Sequence, residues 1–220
     1  MALAPEQIVV YVGPSLAVED AREILDADYR PPVRRGDISA LMKSPPKIIG
    51  IVDGKFFQSF AISPKEILPA LEAGVHLFGS SSMGALRAVE LKRYGMVGVG
   101  RVFELFDSQV LHADDEVAMI FDDSNGKPLS VPMVNIRLAL ERAVQEGIIS
   151  AESEVTLRDL VKSAYFPDRS YPMMLHVAEG AIPEVECARL RTWLKERAPD
   201  AKRDDAILLL REVSRLAATL

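Results

Sequence analysis

Residues 79–84, Gly-Ser-Ser-Ser-Met-Gly, place three hydroxyls between two glycines, after the apolar run Val75–Phe78 and before the amphipathic run Ala85–Tyr94. A strand that turns sharply into a helix through small residues can present a nucleophilic side chain and aim the helix's first amides at it. The frame favours Ser82, which has Ser80 two residues before it and Gly84 two after it, whereas Ser81 has Met83 at the tight position. The helix start would hold an oxyanion or cradle an anion, with Ser81 and Gly84 in the cradle and Arg87 about one turn on. Two other readings stay open at this point. One of the serines caps the helix, or the loop binds a phosphate or nucleotide.

A serine nucleophile needs a base, because its hydroxyl is too weak an acid to ionise at neutral pH. His76 falls inside a strand, His112 precedes Asp114, Asp115 and Glu116, and His176 lies in a helical stretch. Lys65 sits in the first turn of a helix, whose positive end disfavours a second positive charge, and is the candidate base; its plain alternative is an exposed lysine. No metal is expected, since no HxH, HExxH or CxxC spacing occurs. Nor does any GxGxxG or Walker sequence, and no cofactor is expected.

The elements that must position these residues follow from periodicity. Ile8–Gly13, Lys47–Gly54 and Val75–Phe78 read as strands, each followed by an amphipathic helix, which predicts a parallel sheet. Ser63, Pro64 and Glu66 form a capping-box pattern for the helix that ends at Gly74. Residues 28–37, with two prolines and three arginines, read as a basic loop. Val117–Phe121 and Leu129–Val131 read as a hairpin across a Ser-Asn-Gly-Lys-Pro turn. Ligands collect at the carboxyl ends of parallel strands, so Gly13–Ser15, Asp53–Lys55 and Gly79–Gly84 should line one rim, with Gly13 and Ser15 in substrate binding. From Val134 onward four helical patterns succeed one another. The expected fold is α/β: a parallel-sheet βα core over residues 1–132 and a helical C-terminal segment over 133–220.

Composition limits the function. A net charge of −6 argues against a nucleic-acid binder. No apolar run approaches the roughly 20 residues needed to cross a bilayer, so no membrane partner is expected. The single cysteine, Cys187, rules out an intrachain disulfide, and nothing resembles a secretory leader, so a cytoplasmic protein is expected.

Several ungapped blocks carry a resemblance: Val12–Leu16, Ile49–Leu91, Gly95–Gly100 and Asp114–Ala118. Together they resemble the TfuA-like core domain over about the first 130 residues. The resemblance implies a partner of YcaO enzymes, which use ATP to activate a peptide amide oxygen that sulfur then replaces, as in ribosomally made peptide natural products. It further implies that the chain recruits a ThiS-type sulfur-carrier protein and hydrolyses its C-terminal thiocarboxylate to release sulfide. On that reading Ser82 attacks the thiocarboxylate carbon and Lys65 is the base, with Asp53 or Glu66 orienting it. The alternative is a docking and activating partner of the YcaO enzyme with no chemistry of its own.

Overall fold

The computed structural model describes residues 3–55, 61–122 and 126–220. In chain order they form β1 (Ile8–Tyr11), α1 (Val18–Arg22), β2 (Asp28–Arg30), α2 (Asp37–Leu41), β3 (Ile48–Ile51), α3 (Pro64–Glu72), β4 (His76–Ser80), α4 (Met83–Leu91), β5 (Val97–Val99) and α5 (Arg101–Asp107). Then come α6 (Met133–Gln145), α7 (Ala151–Ser163), α8 (Tyr171–Ala178), α9 (Glu184–Arg197) and α10 (Ala201–Ala217). Two compact units result, Met1–His112 with Lys202–Leu220, and Ala113–Ala201. The α/β class and the parallel sheet are as expected. The units divide at 112 and 201, whereas periodicity alone groups everything after 132 together.

In the first unit the five strands are all parallel, in the order β2-β1-β3-β4-β5. Their near-continuous apolar sequences follow from burial on both faces. Val9, Tyr11, Ile49, Ile51 and Leu77 meet Ile38, Ile67, Ala70, Met83 and Ala88 on one face. Ile8, Val10, Ile48, Val52 and Phe78 meet Ala21, Leu25 and the apolar stripe Ala206, Leu209, Leu210, Val213 and Ala217 of α10 on the other. Gly50 makes that approach possible: a β-carbon there would stand 3.0 Å from Leu209 Cδ2. Helix α10 is thus a layer of the sheet unit, because its stripe is the complement of that face.

Four local expectations change. The basic loop begins as strand β2, where Asp28–Arg30 pair with Val9–Tyr11, since residues ahead of Pro31 and Pro32 favour extended backbone. The glycine-spaced stretch after Gly95 holds strand β5, paired with β4. Ser63 takes the N-cap position of α3 without a side-chain bond, and Glu66 instead accepts the amide of Gly36 at 2.7 Å, so the capping box is not made. The expected hairpin reduces to one antiparallel bridge, Phe121–Pro128, and Ser124 and Asn125 of its turn lie outside the described residues.

The second unit packs α6–α9 around Met133, Ile136, Leu140, Leu157, Met174, Leu190 and Trp193. Ahead of α6, Asp115 and Glu116 enter an ion-pair network. Arg137 grips Glu116 through Nε and Nη2, both at 2.8 Å. Lys162 pairs with Asp115 at 2.5 Å and Glu116 at 2.8 Å. Buried Arg169 donates to Asp115 Oδ2 at 2.8 Å and to the carbonyls of Asp115, Ala164 and Lys162. The Asp-Asp-Glu run is therefore a fastening for α6 and α7. No described helix is long and apolar enough to cross a membrane.

Candidate functional site

The rim forms as the topology requires, at the carboxyl ends of β1, β3 and β4. Just past β3, Asp53 is buried and fully engaged: Oδ2 accepts the amides of Gly13 (2.9 Å) and Ser15 (3.0 Å), and Oδ1 accepts the Ser15 hydroxyl (2.6 Å). Charge-assisted bonds of this length are the strong class. Ser15 Oγ in turn accepts from Ser81 Oγ at 3.0 Å. The result is a buried relay from Ser81 through Ser15 to Asp53, assembled from three separate strand ends.

The turn itself is tight. Ser81 stands at φ 64°, one of two non-glycine residues with positive φ among the described residues, a conformation that costs an L-residue free energy and marks a constrained site. The left-handed residue is therefore Ser81, one before the residue the frame favours. Ser82 occupies the N-cap of α4 with no side-chain capping bond; its carbonyl accepts from Ala85 and Leu86, and its amide donates to Ser80. The hydroxyl-cap reading of the loop is not what the chain does. Gly84 is required by packing: a β-carbon there would lie 1.7 Å from the Ile51 carbonyl oxygen, and one at Gly79 would lie 2.2 Å from the Gly84 carbonyl oxygen. Helix α4 thus rests directly on the sheet backbone. The Ser80 hydroxyl is wholly buried with no hydrogen-bond partner among the described residues.

The other predicted residues go elsewhere. Gly13 supplies an amide to Asp53 and packs where a side chain would strike Pro32. Lys65 is exposed and makes no hydrogen bond or ion pair with the serine loop among the described residues. Glu66 is engaged with the start of α2. Arg87 turns along its own helix to Glu90 and to Met83 Sδ.

The lysine beside Asp53 is Lys202, from the first turn of α10, with Nζ 3.9 Å from Asp53 Oδ1 and both side chains 2% exposed. Sequence reading missed it because Ala-Lys-Arg-Asp-Asp reads as a solvated helix start. A usable sign existed. Stepping back by three or four from Ala206 and Leu209 along the apolar stripe lands on Lys202 and Asp205, two charges on a buried face. Asp205 accepts the amides of Arg101 (2.8 Å) and Val102 (2.7 Å) at the start of α5.

The family model described as TfuA-like protein matches residues 53–170, more than half of the 220-residue chain. The matched stretch contains Asp53 and Ser81 and leaves out Ser15 and Lys202. No curated protein matches the chain.

Proposed function

The chain belongs to the TfuA-like family, and from that premise we propose that it partners a YcaO enzyme in peptide thioamidation by hydrolysing the C-terminal thiocarboxylate of a ThiS-type sulfur carrier to sulfide. The observation that carries the reading is the hydrogen-bonded series Ser81, Ser15, Asp53 at a left-handed strand-to-helix turn. Ser81 is the proposed nucleophile, in place of its neighbour Ser82. Its proton passes to Ser15 Oγ as the Ser15 proton passes to Asp53 Oδ1, and Ser81 Oγ bonds to the thiocarboxylate carbon. The amides of Ser82, Gly84 and Ala85 already donate to the carbonyls of Ser80, Val52 and Ser82, so the oxyanion falls to the amide of Met83 at the N-terminus of α4. Collapse breaks the carbon–sulfur bond, and the stored proton leaves with sulfur as hydrosulfide. Water then adds to the acyl-serine ester by the same relay, regenerating Ser81 and the carrier's carboxylate. No cofactor takes part.

Complete burial of Ser81 favours a second reading, a docking partner that activates the YcaO enzyme without chemistry. One assay separates the two: sulfide release from a thiocarboxylated ThiS-type carrier by the purified protein alone, comparing wild type, Ser81→Ala and Ser82→Ala. The hydrolase reading expects release by the wild type and a loss of at least about 10³-fold in Ser81→Ala, the scale on which an essential nucleophile acts. Loss only in Ser82→Ala would move the nucleophile to Ser82. Absence of release by all three would leave the docking reading.

A further inference from the structure

The buried lysine of α10 has no place in the relay just described, yet it faces the residue on which the relay ends. Lys202 Nζ lies 3.9 Å from Asp53 Oδ1, the oxygen that also accepts the Ser15 hydroxyl at 2.6 Å. Burying an ammonium is expensive unless it has a counter-charge, and an apolar residue of similar volume would pack a helix start at least as well. The pairing is also held in register from both sides. Asp205, nearly one turn on, is bound to the first amides of α5, and Leu209 lies over Gly50 of β3. Arg203 adds a contact to Asp20 of α1 at 3.1 Å. These contacts leave the first turn of α10 little freedom to slide, so the ammonium is kept within ion-pair distance of Asp53 Oδ1.

We infer that Lys202 is a positioning residue of the serine relay, its fixed charge holding the Asp53 carboxylate as the acceptor for Ser15 and thereby aligning Ser81. The last helix is then part of the reaction centre, and the site extends beyond the matched residues 53–170 on both sides, to Ser15 and Lys202. The inference rests on the sulfide-releasing reading of this site.

The test uses the full chain with the thiocarboxylated carrier. Lys202→Met should lower sulfide release at least about 100-fold, and Lys202→Arg should recover part of it. Added methylammonium should raise the rate of Lys202→Ala, which a purely structural lysine would not allow. Full activity of a folded Lys202→Met protein, or absence of any recovery by arginine or amine, overturns the inference while leaving the hydrolase reading standing. A wild type that releases no sulfide overturns the hydrolase reading, and the pairing is then judged by urea unfolding of Asp53→Asn, Lys202→Met and the double variant. Their effects on the unfolding constant should depart from additivity by at least about fivefold, with the double variant the more stable than additivity allows; a smaller departure overturns the pairing. Should Lys202→Met alone not fold, a folded double variant supports the pairing and an unfolded one overturns it.

Discussion

Asp205 caps helix α5 from across the fold, its two carboxylate oxygens taking the amides of Arg101 and Val102 at 2.8 and 2.7 Å. Gly100 makes room for it: a β-carbon there would stand 2.3 Å from the carboxyl carbon. Burial pushes the Asp205 pKa up to about 6 against the opposing pull of the Val102 and Arg101 amides. The folded value lies above the unfolded one of about 3.9, so the folded chain holds the extra proton between the two. Stability from this group is fully present below about pH 4 and is lost as pH rises through about 6. The size is of order 2–3 kcal/mol. Urea unfolding between pH 4 and 8 should show this fall in the wild type and a flattened profile in Asp205→Asn; identical profiles would refute the assignment.

The Asp115 network predicts the opposite slope. Burial, the largest influence, would raise the Asp115 pKa, but the hydrogen bonds and charges of Lys162 and Arg169 outweigh it and hold the carboxyl below its usual range. Its stabilisation is therefore present above about pH 4 and lost as pH falls through the lower folded value. Arg169→Met leaves Asp115 paired with Lys162 but without its arginine and strands three carbonyls, and should cost about 3 kcal/mol. Unfolding that shifts by less than about 1 kcal/mol would show the network to be ornamental.

Strain at Ser81 can be read by exchange. Ser81→Gly and Ser81→Ala both lose the bond to Ser15, but only glycine adopts φ 64° without penalty. The glycine variant should be the more stable by about 1 kcal/mol, and both should lack sulfide release. Equal stabilities would mean that the loop relaxes when the hydroxyl is gone.

Ser80→Ala removes a buried hydroxyl with no partner among the described residues, a group that costs about 1–3 kcal/mol when left unsatisfied. Melting should stay unchanged or rise, with sulfide release retained. A stable variant that loses activity would assign Ser80 to ligand binding.

Lys65→Met should leave sulfide release within about twofold of wild type, since Asp53 terminates the relay without it. Glu66→Ala should lower stability by about 1 kcal/mol through the lost acceptor for Gly36. Loss of activity in a stable Lys65→Met protein would restore that lysine as the base.

Much of the site was legible because strand ends are set by apolar runs. Ile8–Tyr11, Ile48–Ile51 and His76–Ser80 stop where Gly13, Asp53 and Ser81 begin to act, and a parallel sheet brings such ends to one rim. Direction within a turn was not legible: whether Ser81 or Ser82 takes the left-handed conformation depends on how closely Gly84 must approach the Ile51 carbonyl. The partner of Glu66 is hidden for a related reason. Neighbours along a helix start appear paired in sequence, while Glu66 had a free amide within reach at Gly36. Lys202 was hidden by long separation, since no local pattern says which charged residue of a distant helix faces a buried carboxylate.

The interleaving of the first unit sets an order of assembly. Strands β1 and β3 emerge early in synthesis with Ile8, Val10, Ile48 and Val52 on one face, but the helix that covers this face is made only after the whole of Ala113–Ala201. A nascent chain must therefore carry an apolar sheet face covered only in part, by Ala21 and Leu25, and an Asp53 without its lysine, until the last helix arrives. Ribosome-stalled chains ending before Lys202 should bind a chaperone or a hydrophobic dye, and should acquire the closed serine site only on release of α10.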